Sequence, residues 1–240
     1  MSKKIEYEVL TEKTRYRGFI REDNPKTRKN YENSINLLTE VFGYRPTNTG
    51  KMIRTMIMGT IPSRGGFEQG FYYMGEKNAF YEILDKALGY KNKYQILKDK
   101  YVNSKTRDER REIIDKILES LENDHILLCD TLDSCLRINS MDSGIMQYKC
   151  HDISVFQRIF AECENIENII FTSDGSRDYF KEIIGLKDSK MTGKNVMEKF
   201  NLKKKIKIID LPSPSFRSTK NNKEKIKKVS DEYSRVIKVK

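Results

Sequence analysis

The stretch MIRTMIMGTIPSRGGFEQGFYYMGEKNAFY, residues 52–81, decides the fold. Met52–Gly59 is an apolar run closed by glycine, the pattern of a strand buried on both faces. A glycine-rich loop follows, and helical spacing resumes over 78–88, so the stretch predicts strand, long loop and helix. The alternation continues downstream. HILLCD (125–130), NIIFTS (168–173) and KIKIID (205–210) are further strands. Helices are expected over 105–122, with Ile113, Ile114, Ile117, Leu118 and Leu121 on the apolar side, over 155–163 and 177–184, and in NKEKIKKVSDEYSRVI at 222–237. Four strands alternating with helices predict an α/β fold, a doubly wound three-layer α/β/α arrangement with a central, mostly parallel four-stranded sheet. Ligands of such sheets sit at the carboxyl ends of the strands, here just after Gly59, Asp130, Ser173 and Asp210.

Upstream, KIEYEVL (4–10) and TRYRGFI (14–20) read as short strands or an arm. PKTRKNYENSINLLTEVF (25–42) begins with proline and sets Tyr31, Ile35, Leu38 and Val41 near helical spacing, which predicts an amphipathic helix. No repeat or Pro/Gly-rich boundary interrupts 50–240. The expected organisation is therefore an N-terminal extension over 1–50 and one α/β domain over 51–240.

Composition narrows the function classes. The 240 residues carry 46 Lys and Arg against 35 Asp and Glu, a formal charge of +11. Residues 201–240 alone hold 13 Lys and Arg against 4 Asp and Glu, a balance of +9, so one end of the chain is suited to a polyanion or is a lysine-rich solvated face. No run of about 18 apolar residues is present, and MSKKIEYEVL lacks a signal-peptide core, so a cytoplasmic protein without a membrane partner is expected. The cysteines at 129, 135, 150 and 163 and the histidines at 125 and 151 match no zinc, iron–sulfur or H-E-x-x-H spacing. Neither a metal nor another cofactor is expected, and the thiols read as reduced and mostly buried.

Three segments at the strand ends exceed the needs of connectors. In 59–81, glycines 65, 66 and 70 allow close backbone approach to a ligand, and Phe71, Tyr72, Tyr73, Phe80 and Tyr81 surround Asn78. Aromatic residues beside a helix start are commonly core, and Phe80 and Tyr81 taken singly read that way. Asp130 is a carboxylate at a strand end. LPSPSFRST (211–219) is a Pro- and Ser-rich turn with an apolar Phe216 beside Arg217, the composition of a loop that grips a nucleic-acid backbone and drives in a wedge.

In combination these segments resemble the uracil-DNA glycosylase superfamily, most closely its hypoxanthine-DNA glycosylase branch. The G-[ST]-x-P-S loop is matched by Gly59-Thr60-Ile61-Pro62-Ser63, the Q/N-G-F-Y-Y by Gln69–Tyr73, and the N-x-F plus aromatic by Asn78-Ala79-Phe80-Tyr81. The strand-end Asp followed by S-C-x-R-x-x-S-x-D-S is matched by Asp130 and Ser134–Ser143, and the L-P-S-x-S loop by Leu211–Ser215. The resemblance spans about 53–219. It implies a monomeric enzyme that binds DNA, flips a nucleotide and hydrolyses its N-glycosidic bond.

The residues fit such chemistry on their own terms. An extruded base needs an aromatic platform, a polar group for its Watson–Crick edge and a wedge that holds the gap. Tyr73 or Phe80 can be the platform, with Tyr72 beside them, Asp130 the edge reader, and Phe216 with Arg217 the wedge. Ser63, Arg64, Ser213, Ser215, Ser218 and Lys220 complete the candidate DNA contacts. Two family features are missing: the water-positioning Asp or Asn two residues after the first glycine is here Ile61, and the last-loop His is Leu211. Asn78 is the replacement catalytic candidate, since its amide oxygen can orient a water, and the backbone N–H groups of Thr60 and Ile61 can stabilise the leaving base. Repair of deaminated bases and defence against phage DNA with modified bases both fit. The competing classes are a metal-dependent nuclease or phosphoesterase using Asp130, Asp174 and Asp210, and a binding module without catalysis.

Overall fold

The computed structural model describes residues 4–10, 15–21, 39–43, 46–47, 49–75, 78–137, 142–186, 190–214 and 223–237. Its centre is a four-stranded, wholly parallel sheet in the order β5-β4-β8-β9, built from β4 (Thr55–Gly59), β5 (Ile126–Asp130), β8 (Asn168–Phe171) and β9 (Lys207–Asp210). Registers place Gly59 beside Asp130, Met58 beside Phe171, and Phe171 beside Asp210. All four expected strands are therefore present, with their carboxyl ends along one edge.

The three layers follow from strand alternation. Ile57, Ile126, Leu128 and Ile170 point to one face, where they are buried under helices α2 (Phe80–Leu88), α4 (Arg107–Asn123) and α8 (Lys223–Ile237). Met56, Met58, Leu127, Cys129, Ile169 and Phe171 point to the other, under α5 (Ile153–Glu162), α6 (Asp174–Ile184) and α7 (Gly193–Phe200). Each such fully buried side chain contributes about 1.5–3 kcal/mol, so apolar strands with no polar face specify a sheet covered on both sides. Among the described residues no helix is long and apolar enough to cross a membrane.

The basic C-terminal helix is part of the core. Ile226, Val229, Tyr233 and Ile237 recur at helical spacing and are buried against α2, while Lys227, Lys228 and Arg235 on its other face are exposed.

Three differences from the sequence reading emerge. Residues 39–42, expected to end a helix, form β3 (Thr39–Phe42), antiparallel to β6 (Leu132–Arg137), which pairs in turn with β7 (Ile145–Cys150). Val41 fits the helical period, yet here it is buried against Ile61, Leu132 and Cys135, a packing that only strand pairing provides. The remainder of that expected helix, 25–38, lies outside the described residues. Within the 60–70 loop, Arg64–Gln69 forms a short helix α1, capped by the Ser63 hydroxyl, which accepts from the Gly66 N–H at 3.2 Å, and closed by Gly70 at φ +80°. Helix α3 (Lys93–Asn103) also lies where no element is expected. The N-terminal strands β1 (Lys4–Leu10) and β2 (Arg15–Arg21) pair as an antiparallel hairpin.

Candidate active site

The site is built around the end of β4. A Cβ on Gly59 would stand 2.7 Å from Asp130 Oδ1 and 3.2 Å from the Tyr73 hydroxyl, so the missing side chain is what lets both groups lie over the strand end. Asp130 is only 3% exposed, and the Tyr72 hydroxyl bonds to its backbone. Burial, and next the Asp130 charge, push both the Tyr72 and Tyr73 phenols well above their ordinary range, so both stay protonated donors. Tyr73 adopts a left-handed backbone (φ 55°), and its buried hydroxyl faces the Thr172 side chain. Its ring stacks on Phe80 with centroids 4.0 Å apart and planes 22° apart. Phe80 is fully buried and Tyr73 partly exposed, so of the two expected platforms only Tyr73 offers surface to a base.

The loop after Gly59 separates side chains from backbone. The Ile61 side chain packs into the apolar cluster of Val41, Leu132 and Cys135 and is unavailable to a ligand. Thr131 and Leu132 donate to the carbonyls of Gly59 and Thr60, both at 3.0 Å. Among the described residues no backbone carbonyl accepts from the N–H of Thr60 or Ile61, which leaves these donors for an anion.

Asn78 is held from several sides. Its backbone carbonyl accepts from Lys98 Nζ at 2.6 Å, and its neighbour Ala79 donates to the Pro214 carbonyl at 3.1 Å, which ties the Asn78 segment to the last loop. Further back, the Tyr81 hydroxyl donates to Tyr72 O at 2.9 Å and the Tyr101 hydroxyl to Gln69 O. The Asn78 amide oxygen, one residue before the N-cap Ala79, accepts from the Phe80 N–H that opens α2 at 2.9 Å. A carbonyl oxygen has two acceptor sites, so one remains for water. The last loop begins as an extension of the sheet, Leu211 donating to Phe171 O at 2.9 Å, and Tyr233 of α8 supports it with a 3.4 Å bond to Pro212 O. Ser213 is partly exposed there. Ser63 caps α1, which Arg64 opens. Ser215, Phe216, Arg217, Ser218 and Lys220 lie outside the described residues.

Two neighbours escape the sequence-based site set. Asp142 Oδ2 accepts from the Thr60 hydroxyl at 2.6 Å and from the Ser173 hydroxyl at 3.3 Å, and those hydroxyls lie 2.8 Å apart. Asp142 stands in the S-x-D-S motif, so the motif was the available signal. Lys98, 4% exposed, gave none, because no element or site is expected over 93–103 from the sequence. Two of the acidic residues that a metal-dependent nuclease would use are already paired with a cationic side chain. Asp174 and Asp210 both pair with Arg177, at 3.0 and 2.9 Å, and among the described residues no three His, Cys, Asp or Glu side chains are grouped for a metal.

No family model matches the sequence, and no curated protein matches it. The fold does have a solved counterpart. The chain superposes on the solution NMR structure of a "putative Uracil DNA glycosylase" from Methanosarcina acetivorans with a TM-score of 0.52 and 17% identity, covering 82% of this chain and 98% of that one. The likeness is one of fold: a central four-stranded parallel sheet flanked by helices, as the strand alternation predicts.

Proposed function

We propose that the protein is a monofunctional DNA glycosylase, which flips a damaged or modified base and hydrolyses its N-glycosidic bond to leave an abasic site. The observation that carries this reading is the convergence, at one edge of the parallel sheet, of Gly59–Ile61, Tyr73, Asn78, Asp130 and the 211–214 loop. These segments are far apart in sequence, and they are the ones that resemble the glycosylase motifs.

In this reading DNA is the partner and no cofactor is required. The flipped base lies against the exposed side of Tyr73, and Asp130 accepts from an N–H on its Watson–Crick edge. Asn78 orients the water with its remaining acceptor site, while the N–H groups of Thr60 and Ile61 meet the charge that develops on the departing base. Ser63, Arg64, Ser213 and Ser215 hold phosphates, and Phe216 with Arg217, Ser218 and Lys220 wedges the duplex. An acceptor at Asp130 suits hypoxanthine, uracil or a cytosine derivative with an N4 amine, which accommodates repair of deaminated bases or attack on modified phage DNA. The enzyme works as a cytoplasmic monomer.

The test is release of free base from oligonucleotides carrying single uracil, hypoxanthine, xanthine or modified cytosine residues, in EDTA. Abasic product supports the reading. DNA binding without base release would instead favour a binding module, a reading that the buried Ile61 side chain motivates.

A further inference from the structure

We infer that Asp142 is the carboxylate that takes the proton of the attacking water, supplying from the turn before β7 the group that the first loop lacks at Ile61. This assignment rests on the glycosylase reading above and deepens its mechanism.

Asp142 opens a 3-10 turn, Asp142–Gly144, yet its carboxylate reaches the ends of β4 and β8. Both hydroxyl donors, Thr60 at 2.6 Å and Ser173 at 3.3 Å, go to the same oxygen, Oδ2. Among the described residues Oδ1 has no hydrogen-bond partner, and Asp142 is partly exposed. One oxygen is thus anchored and the other is left to accept. The anchor is tight on its second side as well, since a Cβ on Gly175 would come within 3.0 Å of Oδ2. Glycine there lets the carboxylate approach the first turn of the eleven-residue α6, where the helix dipole favours an anion.

The location fits the step. Thr60, which holds Asp142, directly follows the glycine beneath Asp130, so the two carboxylates flank the end of β4. Both charges also act on the Tyr73 hydroxyl, Asp130 more strongly than Asp142. Asp130 is buried beside Tyr72 and Tyr73 and is assigned to the base, which leaves Asp142 as the carboxylate for the water. In the reaction, the C1′–N bond breaks and its electron pair stays with the base. The water oxygen bonds to C1′, and one water proton passes to Asp142 Oδ1. The base anion, held by the Thr60 and Ile61 N–H groups, takes a proton from solvent. Asp142 then returns its proton to solvent, and atoms and charges balance without a co-reactant.

The alternative is that Asp142 only ties the turn to the sheet. Asp142→Asn separates the two roles, because the amide oxygen still accepts from Thr60 and Ser173 while the exposed position becomes a donor. Single-turnover base release on the wild type's best substrate is expected to fall by about 100-fold or more, the range of a lost general base. DNA affinity should stay within about threefold and Tm within about 2 °C. Formate should partly restore Asp142→Ala, and chloride at the same ionic strength should not. A D142N rate within about threefold of wild type overturns the assignment. So does a slow D142N that has lost stability and DNA binding in parallel, with no formate rescue of D142A. Wild-type silence on every substrate overturns the glycosylase reading itself, and the role with it.

Discussion

Adding a single methyl group at Gly59 should separate the stability of the fold from the geometry of the site. In Gly59→Ala the new Cβ would stand 2.7 Å from Asp130 Oδ1, against roughly 3.4 Å for ordinary contact, so the carboxylate must move by about 0.7 Å. The Tyr73 hydroxyl, 3.2 Å away, must give by a few tenths of an ångström. Gly59 is not among the glycines with positive φ, so the backbone accepts alanine and the effect is steric. The atom displaced is the end of a side chain, and the overpacking penalty should stay near the low end of the usual range, about 1–2 kcal/mol. That corresponds to a Tm lower by roughly 2–8 °C in a domain of this size. Activity should suffer more, because displacements approaching 1 Å at a reacting centre lower rates by about 100-fold. The assay pairs thermal melting with single-turnover base release on the best substrate. A folded G59A protein with wild-type rates would refute the placement of Asp130 and Tyr73 against the substrate.

Asp130→Asn should reorder the preferred bases, because an amide adds a donor where a carboxylate only accepts; relative rates across the substrate panel check this, and a uniform fall with unchanged ranking would make Asp130 structural. Asn78→Ala should slow single-turnover cleavage at least about tenfold. It should also destabilise the fold by about 1 kcal/mol, since the Phe80 N–H loses its acceptor; an unchanged rate would remove Asn78 from the chemistry. Truncation after Thr219 should abolish folding, because it removes Ile226, Val229, Tyr233 and Ile237 from the core. The charge of that helix is better tested by K227Q/K228Q/R235Q, which should flatten the salt dependence of DNA binding by up to about 0.9 in slope for each phosphate that is no longer neutralised. Tyr72, Tyr73 and Tyr233 all have phenols raised above their unfolded values, so the stability they contribute is present below about pH 10 and lost as pH rises further. Alkaline melting with a midpoint no lower at pH 11 than at pH 9 would contradict their burial.

What could be read from the sequence followed from local pattern. TMIMG, ILLCD and NIIF are largely apolar runs, and each meets a Gly, Asp or Ser-containing end, so both the buried sheet and its candidate ligand edge are legible in the chain itself. Asp130 is a candidate by strand-end logic, and Asn78 by the glycosylase resemblance and the apolar Ile61 in the first loop. The antiparallel layer is not legible. LDSCLR and IMQYKC mix polar and apolar residues without a clean period, and their strand state depends on pairing with each other and with Thr39–Phe42. Val41 satisfies a helical period and a strand equally well, and only a distant partner decides between them. Asp142 and Lys98 escaped for a related reason. A carboxylate becomes part of a site through Thr60 and Ser173, and a lysine is buried through Asn78, none of which lies near it in sequence. The basic tail carried two signals at once: its charge suggested a DNA contact, while Ile226, Val229, Tyr233 and Ile237 had already set its inner face for the core.

Release of free base, followed by chromatography from single-residue uracil, hypoxanthine, xanthine and modified-cytosine oligonucleotides in EDTA, bears most directly on the proposed chemistry. Wild-type protein should convert at least one substrate to free base and an alkali-labile abasic site, with Asn78→Ala markedly slower on the same substrate. Intact oligonucleotides across the whole panel, or strand cleavage that appears only when Mg²⁺ replaces EDTA, would contradict glycosidic hydrolysis at this site.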